Sequence, residues 1–290
     1  MAVYERTYRS YTGALTAPTW RFLVLPKYSV REVFDSKLFI AFLVACFIAP
    51  LVMSILIYIP HNSSFIKLVE TMSGESVSFR VKASHYFFGL MIPQGFFCFF
   101  MALIIGPAQI SADLRNNALP LYLSRPFSRP EYLLGKSLVQ IFLLSAISWV
   151  PGLTMFALQA YLEGLAWLRD NLRIGAAIFF SCWVWILVLC LLSLALSAYV
   201  KWRPVARAAM FAVFLVLPAT AAIFNFLFRT EWGNLINITH TIGTIWTALF
   251  GLDISTDLPI WSAWLSAAGF CSFCILLLAR KVKAYEVVRS

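Results

Sequence analysis

Charge is scarce in this chain. Of its 290 residues only 12% are Asp, Glu, Lys or Arg, whereas 61% are hydrophobic, and the mean hydropathy is +0.81. A water-soluble fold of this length cannot hide so much apolar surface, so the surplus must face lipid. The scarcity is also uneven. Six apolar runs, at about Leu38 to Ile59, Tyr86 to Ile110, Leu138 to Leu162, Ile174 to Val200, Ala208 to Phe228 and Ile260 to Leu278, hold no Asp, Glu, Lys, Arg or His. Proton-coupled carriers, ion pumps and many intramembrane enzymes need an ionisable group at mid-depth to relay a proton or hold a charge, so those classes are demoted.

Other absences narrow the reading further. The six cysteines, Cys46, Cys98, Cys182, Cys190, Cys271 and Cys274, all lie inside apolar runs, and none in a polar loop suggests a disulfide framework. Cys271 and Cys274 form a CxxC without a second ligand pair. Two small buried side chains on one helix face are the plain reading, beside a redox or metal pair. His61, His85 and His240 fall at expected outer edges without metal-ligand spacing, and no nucleophile stands beside a base. Gly135-Lys136-Ser137 imitates the end of a phosphate-binding loop, but Pro130 occupies the position of its first glycine and no strand precedes it. Neither a catalytic residue nor a bound cofactor is therefore expected in this chain. Residues 1–37 lack the short apolar core of a cleaved signal peptide, so the N-terminus is expected to be retained.

What is present is the material of an all-α integral membrane fold. About 20 apolar residues span the roughly 30 Å of hydrocarbon as a helix, and long continuous runs exclude the short alternating strands of a barrel. Six transmembrane helices put both termini on one side. Seventeen of the 23 basic residues, with six of the 13 acids, share that side, and the other keeps six bases and seven acids. The positive-inside bias makes the shared side cytoplasmic. The net charge of +10 thus follows the membrane and does not call for nucleic acid. We expect a single membrane domain over 1–290, divided into a cytoplasmic and interfacial segment 1–37, a six-helix body 38–278 and a cytoplasmic tail 279–290.

Within this plan, Ser29-Val30-Arg31-Glu32 has capping-box spacing, and Val30, Val33, Phe34, Leu38 and Ala41 share a helical face. An amphipathic helix at the cytoplasmic interface is one reading; for residues 34–37 an extension of the first span is the other. Between the fifth and sixth runs, residues 229–259 are too apolar for a free loop. They are expected to dip into the outer interface as short pieces broken at Gly233, Gly243 and Gly251, beside the alternative of an ordinary amphipathic surface helix. Asn62-Ser63-Ser64 and Asn237-Ile238-Thr239 match the glycosylation triplet in expected outer loops. Gln94, Gln109, Gln140, Gln159, Ser145, Ser148, Thr154, Ser193, Ser197 and Asn225 are neutral polar groups inside the runs, suited to helix contacts or to a mildly polar path.

The loop between the second and third runs carries the most specific signal. Ser128 and Glu131 form a second capping box with Pro130 in the first turn, so a helix starts there and continues as the third span. Ahead of it Leu119, Leu121, Leu123 and Phe127 are apolar residues in a basic loop outside the membrane. They need lipid headgroups or a protein partner to cover them, and Arg115, Arg125 and Arg129 would steer an acidic one. Asp113, Leu119-Pro-Leu121-Tyr122-Leu123, Ser124-Arg125-Pro126-Phe127-Ser128-Arg129 and Leu133-Leu134-Gly135-Lys136 together resemble the loop of type-2 ABC transporter permeases, exporter subunits with this same six-helix layout. Asn116-Asn117-Ala118 stands where that family usually has glycine-threonine. The resemblance implies a coupling helix from about Asp113 to Leu123, with Asp113, Leu114, Arg115, Leu119, Leu121, Tyr122 and Arg125 contacting a cytoplasmic ABC ATPase subunit that holds ATP and magnesium. It also implies a second permease chain, identical or not, and a multi-pass protein of the cell membrane, the bacterial inner membrane foremost. The cargo does not carry over. The alternative from another class is a non-transporting anchor or assembly subunit of a larger membrane complex. A membrane-embedded lipid enzyme is the weakest reading, for want of intramembrane acids and bases.

Overall fold

The computed structural model describes residues 24–62, 71, 82–116, 129–254, 256 and 258–281. Among them there is no strand, and six segments are long and apolar enough to cross a bilayer: Lys37–His61, Ala83–Arg115, Pro130–Glu163, Leu172–Tyr199, Arg203–Phe228 and Ile260–Lys281. The helices outrun the apolar stretches mainly at one end. The second gains Asp113 and Arg115, the third Lys136, the fifth Arg203 and Arg207, the sixth Arg280 and Lys281. Hydropathy marks the part immersed in hydrocarbon, whereas helical hydrogen bonding continues into the interface. We call this the basic end.

Two spans are interrupted. The first consists of helices Lys37–Cys46 and Ile48–Tyr58 meeting at Phe47, because Pro50 has no N–H for the Cys46 carbonyl. The third consists of Arg129–Ile147 and Trp149–Glu163 meeting at Ser148, where Pro151 likewise withholds a donor from Ile147. Ser148 Oγ donates to the Leu144 carbonyl at 2.7 Å, one of the local repairs that tolerate a break at membrane depth. At the end opposite the basic one, His61 Nε2 lies 3.3 Å from Glu163 Oε1 and joins the first and third spans.

The amphipathic helix is Val24–Phe34. It begins ahead of the expected Ser29 cap, so Ser29 is interior and that capping box does not form; Pro26, tolerated in a first turn, sits in the added part. The true cap nearby is Ser36, whose side chain accepts from Phe39 N at 3.4 Å and opens the first span. Val30 and Val33 face the core, and the helix packs on the third span, with Lys27, Arg31 and Asp35 exposed.

The segment between the fifth and sixth spans is inserted into the bundle. A short 3-10 turn, Trp232–Leu235, precedes the helix Ile238–Phe250, which buries Ile238, Ile242, Ile245, Trp246 and Phe250. Trp246 Nε1 donates to the Ser181 carbonyl at 3.0 Å, about nine residues or ~14 Å inside the fourth span at 1.5 Å per residue. This excludes a helix resting on the surface. Gly243 does not break the helix, contrary to expectation. Gly251 ends it, at φ +69°, a left-handed turn that favours glycine. Arg173 closes the exposed carbonyls, donating to Ala248 O at 2.9 Å and Leu249 O at 3.2 Å. At the other end Asn225 of the fifth span holds the turn, accepting from Gly233 N and donating to Asn234 Oδ1, both at 2.8 Å.

The fourth span is the axis of the fold. In its most apolar stretch 67% of residues are buried, against 6% for the fifth span. Without a hydrophobic drive between helices in lipid, close backbone approach and hydrogen bonds hold such a bundle together. Gly106 supplies the approach: a Cβ there would overlap Ser193. All six cysteines are free, with Cys271 half-buried and Cys274 buried on the sixth span.

Candidate coupling site

The signal loop leaves the second span and returns to the third, and the structure describes both of its roots. Asp113, Leu114 and Arg115 are the last turn of the second span, which runs unbroken to Arg115; no separate helix starts at Asp113. Leu114 is half-buried against the core and Arg115 is exposed. Leu119, Leu121, Tyr122 and Arg125, together with the Ser128 cap, lie outside the described residues.

Asp113 points at the third span. Tyr132 and Lys136 are four residues apart and so share one face of that helix. Tyr132 Oη donates to Asp113 Oδ2 at 2.7 Å, and Lys136 Nζ lies 2.9 Å from the same oxygen. The Lys136 and Asp113 side chains are only 9% and 13% exposed, Tyr132 is wholly buried, and the ammonium sits 5.9 Å from the Tyr132 ring centroid. Two charges removed from water are tolerated only when paired and hydrogen-bonded, and here they are. The trio clips the two roots of the loop together. Gly135-Lys136-Ser137 is accordingly a piece of regular helix whose lysine already holds a carboxylate, a geometry unlike a phosphate-binding loop.

One and a half turns deeper, the second span is reworked around Pro107. The proline has no N–H for the Leu103 carbonyl. Ser197 of the fourth span inserts its hydroxyl into the ladder: Oγ accepts from Ile110 N at 2.9 Å and Ser111 N at 2.8 Å and donates to Pro107 O at 3.0 Å. Ser111 Oγ also donates to Pro107 O. Such insertion is a recognised cause of local helix distortion. On the next turn of the fourth span Ser193 Oγ donates to Gln140 Oε1 of the third at 2.8 Å. Across the other side, Arg207 of the fifth span donates to Ile104 O at 3.2 Å. A short stretch of the second span is thus bonded to the fourth and fifth, while its last turn is clipped to the third.

The loop motif quoted above contains Asp113 and Lys136, but a sequence does not show that they pair. The available hint was an Asp and a Lys each beginning or ending an apolar run. Tyr132 and the contact made by Arg207 went unassigned; Ser193, Ser197 and Gln140 were expected to make helix contacts, and these are the contacts they make.

A family model described as "ABC-2 family transporter protein" matches residues 25–279. No curated protein matches the chain.

Proposed function

The chain belongs to the ABC-2 transporter family and is a multi-pass membrane permease of an ABC transporter; we propose that a separate ATPase seats on its second-to-third loop and drives export. In this reading the basic end is cytoplasmic, in a bacterial inner membrane. ATP and magnesium belong to the ATPase, and Leu119, Leu121, Tyr122, Arg125 and the exposed Arg115 form the surface it grips. Asp113 and Leu114 root that surface in the bundle.

The observation that carries the reading is the buried Asp113–Tyr132–Lys136 clip. A push on a loop with free ends would be lost in the loop. With both roots tied by a desolvated ion pair, the second and third spans move as one body, and the polar seam at Pro107 marks where that movement meets the fourth and fifth spans. The fifth span, almost unburied, gives a second permease chain its place.

Gentle extraction of the native complex tests this. An ATPase subunit should co-purify in roughly equal amount. Changing both Leu119 and Leu121 to Asp should release it while the permease stays folded, since the new charges lie outside the bilayer. Co-purification unchanged by that pair of substitutions removes the loop from the contact.

A further inference from the structure

The fifth span is the least covered of the six, with 6% of its most apolar stretch buried. Among the described residues, only two of its side chains hydrogen-bond to other elements. Arg207, near the basic end, donates to the Ile104 carbonyl of the second span at 3.2 Å. Asn225, near the opposite end, uses both halves of its amide on the turn that leads into the inserted helix: Oδ1 accepts from Gly233 N and Nδ2 donates to Asn234 Oδ1, each at 2.8 Å. From residue 207 to residue 225 is ~27 Å of helix at 1.5 Å each, close to the ~30 Å thickness of a hydrocarbon core. The helix is continuous between them, running on through Pro218.

The attachment at Asn225 is tight. Gly233 is buried, and a Cβ there would overlap Asn225 Oδ1 and the Ala221 carbonyl, so the backbone of the turn lies directly on the fifth span. From the turn the contact continues inward, Thr241 Oγ1 of the inserted helix reaching Asn234 O at 3.5 Å. The second span and the inserted helix Ile238–Phe250, which the two attachments connect, also enclose a cavity of about 520 Å³ together with the fourth and fifth spans. Phe96 and Phe100 wall it on the second span, Phe211 and Leu215 on the fifth, Ile242 and Gly243 on the inserted helix. A helix bonded through its side chains only near its two ends, to two walls of one cavity, can carry a displacement from one wall to the other, as rigid elements do between distant sites.

We propose that the fifth span is a relay across the membrane: Arg207 couples it to the second span beside the polar seam, Asn225 couples it to the inserted helix, and the cavity wall formed by that helix moves with it. Arg207 and Asn225 act as positioning residues. The relay takes from the coupling reading only the seam as the place where movement enters. It is tested on the permease alone, so its failure leaves that reading standing.

The purified full-length protein in lipid nanodiscs is followed by amide hydrogen exchange, which reports the local opening of each segment. Asn225→Leu should speed exchange several-fold in peptides covering 234–250. Arg207→Gln should speed the same peptides, a membrane's width away, by at least about two-fold, the lower end of couplings between distant sites. Arg207→Lys, which can still donate to Ile104 O, should restore most of the native rate. In the double variant Arg207→Gln should add nothing to Asn225→Leu, because the link between the two sites is already cut. Thr220→Val, on the same span but bonded only to its own helix at Leu217 O, should leave 234–250 unchanged. Purely local roles predict that Arg207→Gln leaves 234–250 untouched, or that its effect survives in the Asn225→Leu background, and either result overturns the relay. So does equal acceleration by Thr220→Val, which would mean a general loosening of the span. If Asn225→Leu does not fold, Asn225→Asp, which keeps the acceptor for Gly233 N and loses the donor to Asn234, takes its place in the cycle.

Discussion

At the scale of single residues, the chain concentrates its risk in one ion pair. Asp113 and Lys136 share a nearly dry contact, where losing one partner strands the other charge, at a cost of roughly 3–5 kcal/mol. Asp113→Asn should therefore lower the thermal midpoint of the detergent-purified protein markedly. Asp113→Asn with Lys136→Met should recover much of the loss, because the stranded ammonium is gone. A single variant as stable as the parent would show that the pair does not hold the roots. Restored stability without restored ATPase coupling would separate the two roles: a hydrophobic replacement can pack, but it need not transmit a push. Both residues were visible in the loop motif. Their pairing was not, since 22 intervening residues of sequence carry no information about which helical faces meet.

Helices were more legible, as long as lipid was the reason for them. The six apolar runs each became a span because a bilayer leaves an unpaired backbone no other partner. Their breaks and ends were less so. Pro50 and Pro151 interrupt the first and third spans, whereas Pro93 lies inside a helix that continues to Arg115. The proline alone does not decide; how the backbone groups around it are bonded again does. Around Pro107 Ser197 bonds them, so the two residues should be energetically coupled. Ser197→Ala leaves Ile110 N, Ser111 N and Pro107 O short of one partner in a dry site, and groups of that kind cost about 1–3 kcal/mol when unsatisfied. Pro107→Ala removes the ring that pushes the Leu103 carbonyl aside and restores that carbonyl's donor, so the helix can straighten and Ile110 N and Ser111 N can return to the carbonyls one turn back. In a double-mutant cycle read by thermal unfolding, Ser197→Ala should cost less in the Pro107→Ala background than in the native one. Simple additivity would mean that the hydroxyl is not standing in for the broken ladder.

At the scale of the whole molecule, charge asymmetry and burial address different questions. The basic residues at one end carry the expected orientation but say nothing of the chain's neighbours, and hydropathy treats lipid-facing and partner-facing surfaces alike. Burial separates the spans: the fourth is enclosed and the fifth nearly bare. Under the proposed pairing with a second permease chain, a span so poorly covered is where that chain would sit. The fifth span has two usable faces. Phe211 and Leu215 line an aromatic cavity against the second span; Ala212, Val216, Ala219 and Ile223, all exposed, lie on an adjacent stripe whose two alanines admit a close helix. With native thiols blocked, Val216→Cys should cross-link two permease chains in membranes and Phe211→Cys should not. The reverse pattern would move the partner onto the stripe that carries Phe211. If neither position cross-links, the fifth span faces lipid on both stripes and the second chain must pack on the first span, the next least buried at 17%.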